Sequence, residues 1–161
     1  MTIDNREFRT ALGWFATGVT IVTTVTRTGD LVGITANSFN SVSLDPPLVL
    51  FSLDRRAYSL KLFEEAGVFA INVLGEEQKE LSSTFARAGA PKWDGVKFEV
   101  WETGAPVIEG TLASFDCRVQ AVHDGGDHVI FLGRVLRMRA THEGRPLLYF
   151  RGRYNKIGEI H

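Results

Sequence analysis

The sequence predicts a mainly β domain, a largely antiparallel sheet with a few peripheral helices. Three observations carry this. Runs rich in β-branched and apolar residues recur along the chain, as in Val19–Arg27, Leu48–Leu53, Val68–Leu74 and His128–Ala140, and such side chains suit a pleated surface. Hairpin-length turns built from Gly, Asp and Pro separate many of them. The helical patches are few and do not alternate with strands, as a parallel sheet with crossover helices would demand. About six or more hairpin-linked strands fit a closed sheet, a barrel, because closure removes exposed edges. Period and turns alone do not choose barrel over sandwich. With 161 residues the chain reads as one domain, 1–161, long enough to bury its own core.

Taken in order, Asp4 to Phe15 reads as a helix. Asp4 caps it, Glu7 completes a capping box, and Phe8, Leu12 and Phe15 share one face, with Gly18 as the stop. Val19–Arg27 is a strand, Thr28-Gly29-Asp30 a turn, and Leu31 begins the return strand. Pro46-Pro47 rules out a central strand at that point, and Leu48–Leu53 follows as a short apolar strand. Ala57–Ala66 is helical, with Leu60, Leu62 and Phe63 inward and Gly67 ending it; Val68–Leu74 is a strand. Glu76–Arg87 is a second amphipathic helix, with Leu81 and Phe85 on one face. Residues 88–96 form a loop anchored by Trp93, on the core or on a subunit surface. Leu112–His123 and His128–Ala140 make a long hairpin about the turn Asp124–Asp127. A loop at His142–Pro146 leads to a last strand, Leu147–Phe150.

Composition narrows the function. The formal net charge is −1 with no basic block, which argues against nucleic acid as a partner, because phosphate binding needs clustered Lys and Arg. The small group Arg151, Arg153 and Lys156 reads equally as a solvated face or as a phosphate contact. The single cysteine, Cys117, lies in the alternating run Phe115, Cys117, Val119, Ala121 and reads as a buried core thiol. The N-terminus lacks a signal-peptide pattern and no apolar run reaches membrane-spanning length, so no membrane is expected and the cytoplasm is the simplest compartment. No metal-binding motif is visible; His123, Asp124, Asp127 and His128 bracket one turn, where polar residues commonly serve solvation. There is no P-loop, nucleophile elbow or GxGxxG, and a hydrolase triad has no local support.

Two stretches are rich in ligand-binding chemistry. Thr35–Ser43 is polar and hydroxyl-rich at the end of a strand, where backbone N–H groups come free. It suits a planar heterocycle with imide edges or a phosphate, or else is a polar loop. Ser52–Ser59 runs from an apolar strand to a helix start, where Arg55 or Arg56 with Ser59 would complete an anion site; a capped helix with two surface arginines is the plain alternative.

Together these residues resemble the short-chain flavin reductase family, the reductase components of two-component flavin monooxygenases. The resemblance runs from about Phe8 to Tyr154 and rests on FRTALGWFATGVTIVTT, GITANSFNSVSLDPPLVLFSL, SLDRRAYS, FAINVL, GGDHVIFLGRV and PLLYFRGRY, in order. It implies an FMN-binding split barrel of antiparallel Greek-key type, usually a homodimer with sites near the subunit interface. Its expected activity is hydride transfer from NADH or NADPH, NADH being the commoner choice, to FAD or FMN, with reduced flavin passed to an oxygenase component. The matching cofactor residues are Thr35, Ala36, Asn37, Ser38, Ser52, Leu53, Asp54, Arg55 and Ser59, then Phe85, Ala86 and Arg87 from the second helix, Asp127 beside the nicotinamide, and Tyr149, Arg151, Gly152 and Tyr154 as closing elements. His128 is the expected catalytic residue, positioning the nicotinamide rather than transferring a proton. Two other readings stand beside this one: a flavin oxidase of the pyridoxamine-phosphate-oxidase type, and a barrel that binds flavin or heme without turnover.

Overall fold

The structure, a computed structural model, describes residues 1–89 and 91–161; Ala90 of the predicted 88–96 loop lies outside the described residues. A single short helix opens the chain, α1 (Asn5–Leu12), capped by the Asp4 carboxylate, which accepts from the N–H groups of Arg6 and Glu7. Asp4 caps with its own side chain, and the helix stops at Gly13, well before the expected Gly18. Gly18 instead belongs to a two-residue strand, β1 (Thr17–Gly18).

The remaining strands are β2 (Thr20–Val25), β3 (Leu31–Ala36), β4 (Asn40–Leu44), β5 (Pro47–Asp54), β6 (Val68–Val73), β7 (Phe98–Val100), β8 (Pro106–Ile108), β9 (Ala113–Gly125), β10 (His128–Ala140), β11 (Leu147–Phe150) and β12 (Arg153–Lys156). Two more helices are α2 (Leu60–Ala66) and α3 (Lys79–Ala86), the latter entered through a 3-10 turn at Glu76–Gln78. A seven-stranded sheet runs β3-β2-β6-β9-β10-β5-β4, with β1-β11-β12 and β7-β8 beside it. Every ladder is antiparallel. The sheet curls so that β3 approaches β5. Part of the expected polar loop is therefore a strand: Asn40–Leu44 pairs with β5, because a hydroxyl-rich edge strand carries little apolar signal. The short strands β1, β7, β8 and β12 carry no usable period and were not expected.

Strand β2 explains the rest of the packing. It is buried on both faces. Val22 joins a core with Phe51, Phe63, Phe69 and Phe131, while Ile21 joins a second core with Leu74, Phe85, Ile108 and Leu147. A β-branched run containing threonines survives such burial because each buried hydroxyl has a carbonyl to bond. Thr20 donates to Ala36 (2.7 Å), Thr23 to Pro106 (2.5 Å) and Thr24 to Val68 (2.7 Å). In the first core the Phe51 ring stacks on Phe131 at 5.0 Å and meets Phe69 edge-on at 4.8 Å. Strand β10 crosses this cluster at Gly133, where a side chain would overlap Phe69. Cys117 lies in the same core, and burial together with the Asp116 charge pushes its thiol upward, keeping it protonated.

Candidate active site

The expected flavin segment occupies the bend between β3 and β4. Asn37, Ser38 and Phe39 lie outside both strands. Ser38 fixes the bend: its hydroxyl donates to the Ser52 carbonyl (2.9 Å) and accepts from the Ser52 N–H (3.0 Å). Ser52 sits on β5, whose register on β10 sets Ser52 opposite Ile130, Leu53 opposite Val129 and Asp54 opposite His128. The β3–β4 bend, the end of β5 and the start of β10 therefore converge.

Past the end of β5, the loop is stitched to the β9–β10 turn. The Arg55 N–H donates to the Asp127 carbonyl (3.0 Å), its Nε donates to the Gly126 carbonyl (2.7 Å), and a terminal nitrogen pairs with Asp124. Arg56 turns back on Asp54, donating from its backbone N–H (2.8 Å), Nε (3.1 Å) and a terminal nitrogen (2.9 Å). Those bonds hold the Asp54 carboxyl well below the usual carboxylate range and raise the Arg56 guanidinium. The anion site expected from the two arginines is thus partly spent, with each guanidinium already facing a carboxylate. Ser59 is buried at the start of α2, and its hydroxyl takes no part in capping that helix.

His128 is half-exposed, with Nδ1 2.7 Å from an Asp127 carboxylate oxygen. An ionised carboxylate only accepts, so Nδ1 donates and Nε2 is the ring nitrogen free to face a ligand.

A second group gathers around α3. The Thr35 hydroxyl donates to the Ser82 carbonyl (2.6 Å), and the Ser82 hydroxyl meets the Tyr154 hydroxyl at 2.7 Å. Tyr154 packs edge-on against Tyr149, with ring centroids 5.7 Å apart. Phe85 is buried against Gly33 and Trp93, whereas Ala86 and Arg87 are exposed at the end of α3. Lys92 donates to the carbonyls of Gly33 (3.2 Å) and Phe85 (3.4 Å), and partial burial lowers its ammonium. Arg151 and Gly152 form the β11–β12 turn, which is tied to the end of α1. The Arg151 N–H donates to the Gly13 carbonyl (3.0 Å), and its guanidinium lies 4.3 Å from the centre of the Trp14 ring.

Two findings differ from the sequence reading. As hydroxyls of a polar, ligand-suited stretch, those of Thr35 and Ser38 could either donate or accept. Each has one proton and has given it to a carbonyl, so toward a ligand both are acceptors only. The donors left at the Asn37–Phe39 bend itself are its backbone N–H groups and the exposed Asn37 amide. Ser82 was not singled out at all. Its place three residues before Phe85, on the same face of the helix, is the one signal that points inward.

The pattern of the family described as flavin reductase like domain matches residues 12–158. Among curated proteins, the chain is 48% identical over 154 residues to the FMN reductase (NADH) SmoA of Agrobacterium fabrum, covering 96% of this chain and 87% of that one. It is 44% identical over 155 residues to the reductase subunit HsaB of a flavin-dependent monooxygenase from Rhodococcus jostii, covering 96% and 79%. Among solved structures, the NADH:FAD oxidoreductase SgcE6 of Streptomyces globisporus, in complex with NAD and FAD fragments, superposes with a TM-score of 0.91 at 34% identity, covering 98% and 97%.

Proposed function

The chain belongs to the flavin reductase like domain family, and on that premise we propose that it is an NADH-dependent flavin reductase. It reduces FMN or FAD and supplies the reduced flavin to a flavin-dependent oxygenase component. The observation that carries this reading is the convergence of the Asn37–Phe39 bend, pinned by Ser38 to Ser52, with the Asp127–His128 turn, opposite Asp54. A ring-binding bend and a nicotinamide-side histidine then flank the end of β5 from its two sides.

The residues present fit a flavin. The bend offers backbone donors together with acceptor hydroxyls, which match the mixed edge of an imide ring. Ser59 keeps its hydroxyl uncommitted by the cap, and Arg55 is held by an exposed ion pair. Such pairs are weak, so a phosphate, a strong bidentate acceptor for guanidinium, can take Arg55 from Asp124. When bound, the nicotinamide supplies a hydride and the flavin accepts it, so the protein's part is position and electrostatics. Backbone N–H groups at residues 37–39 would stabilise negative charge on the reduced ring. Asp127 holds His128 in the tautomer that presents Nε2, which positions the nicotinamide; no proton transfer through His128 is needed. Leu53 and Ala36 would give the apolar floor, and Tyr149 and Tyr154 the cover; Phe85 lies in the second core, behind Gly33.

The domain adopts a split barrel and works as a homodimer, the latter supported by Phe8 and Leu12 of α1 and Phe15 just past it, all more than half exposed. The cytoplasm, which holds reduced nicotinamide, is its compartment; among the described residues no helix is long and apolar enough to cross a membrane.

Anaerobic mixing of the protein with NADH and FMN or FAD tests the reaction. The reading expects the flavin's visible absorbance to bleach at a rate that depends on protein concentration. Persistent oxidised flavin with both flavins and with either reduced nicotinamide contradicts it.

A further inference from the structure

We propose that Ser82 is a positioning residue for flavin binding, setting from within α3 where Thr35 and Tyr154 stand. The proposal rests on the flavin reductase reading, which places both of those residues at the cofactor.

Ser82 is fully buried, and its carbonyl and its hydroxyl both have partners. Its carbonyl takes the Thr35 proton at 2.6 Å, and its hydroxyl meets the Tyr154 hydroxyl at 2.7 Å. Thr35 lies on β3 in the seven-stranded sheet, while Tyr154 lies on β12 in the three-stranded one. Ser82 therefore bridges the strand that leads into the ring-binding bend and the β11–β12 hairpin. The Tyr154 ring is also held at its edge by Tyr149, and the Lys79 ammonium lies 5.8 Å from its centre. These contacts fix the plane of the ring, and the bond to Ser82 fixes its hydroxyl end. Removing the Ser82 hydroxyl leaves a partly buried phenol without that partner. The Tyr154 ring is then held less firmly against the flavin, while the groups beside the nicotinamide are untouched. Loss of binding common to the ground and transition states raises KM and spares kcat.

The test is steady-state kinetics with flavin varied at saturating NADH, together with thermal unfolding, for the wild type, Ser82→Ala, Tyr154→Phe and the double variant. Each single variant is expected to raise the flavin KM by about fivefold with kcat changed by less than about twofold. The double variant is expected to be no worse than the weaker single, because both substitutions remove the same bond. An unchanged KM in the single variants, with only a lowered Tm, overturns the proposal and leaves Ser82 a structural residue. A double variant whose KM rises by the product of the two single effects also overturns it. Should Ser82→Ala fail to fold, an unchanged KM in Tyr154→Phe is sufficient to reject it. A wild type that oxidises no NADH with either flavin overturns the flavin reductase reading itself, and is distinguishable from these outcomes.

Discussion

At the scale of single residues, the site is controlled by which protons are already committed. Thr35 and Ser38 have given theirs to carbonyls, and Asp127 accepts from His128. Replacing His128 by Ala should raise the KM for NADH by about tenfold, with a smaller change in the KM for flavin, because the side chain positions one ring and transfers no proton. Equal KM and kcat for NADH in wild type and variant would remove His128 from the site. Asp54 gives a pH prediction. Its folded pKa is depressed by Arg56, so the stability it contributes is present above the ordinary carboxylate pKa, about 4, and is lost as pH falls through the depressed folded value. The pair is on the surface, so the effect is small and is screened by salt. Asp54→Asn should lower the urea midpoint slightly near pH 7 and converge on the wild type as the pH falls well below about 4, which flattens part of the acid limb. An acid limb identical to the wild type would show that Arg56 does not hold Asp54 in solution. Single residues were legible where the chemistry is local. Asp4 reads as a cap and Cys117 as a core thiol, and both are. Ser82 was not legible, because a serine inside a helix is informative only once Thr35 and Tyr154 are placed against it.

At the scale of elements, β10 was read to the residue, His128–Ala140, because a long antiparallel partner keeps its turn and pattern local. Its alternation is imperfect for a structural reason: two register irregularities against β9, at Leu132/Gly133 and Val135/Arg137, shift which side chains face inward. Gly133 is needed beside the first of these. A Cβ there would stand 2.9 Å from Phe69 Cε1 and 3.1 Å from Cys117 Cβ, with the Phe69 ring tip closer still. Gly133→Ala should therefore destabilise the domain by about 1–3 kcal/mol, read as a lowered denaturant midpoint at unchanged slope. An unaltered midpoint would mean that the four-phenylalanine core yields more easily than its stacking indicates. Other elements were hidden because their determinants are distant in sequence. Strand β4 is held by β5, and the buried Thr23 is tolerated only because Pro106 lies across from it. The convergence of Ser38, Ser52 and His128 likewise exists only in the folded sheet. The sequence held the segments, and the β5–β10 register supplies their meeting.

At the scale of the molecule, apolar side chains remain uncovered on the single chain. Phe8, Leu12, Trp14 and Phe15 around α1 are exposed, as is Leu44 at the edge of the main sheet. The helical spacing that sets Phe8 and Leu12 on one face was legible; that face is exposed on the single chain, and Phe15 lies past the end of α1. A second copy is the occupant the homodimer reading requires, so sedimentation velocity should give twice the chain mass. A sedimenting monomer at assay concentration would remove the subunit interface from the account. The arrangement also places the end of α1 against the Arg151–Gly152 turn, so an interface on α1 would bear on the closing hairpin.

The most direct test of the central claim is oxidation of NADH, followed by loss of its near-ultraviolet absorbance, with FMN, FAD or no flavin added. A flavin reductase should give sustained turnover that rises with added flavin, or turnover without added flavin if the protein retains one through purification. No oxidation of NADH or NADPH under any of these conditions would contradict that claim.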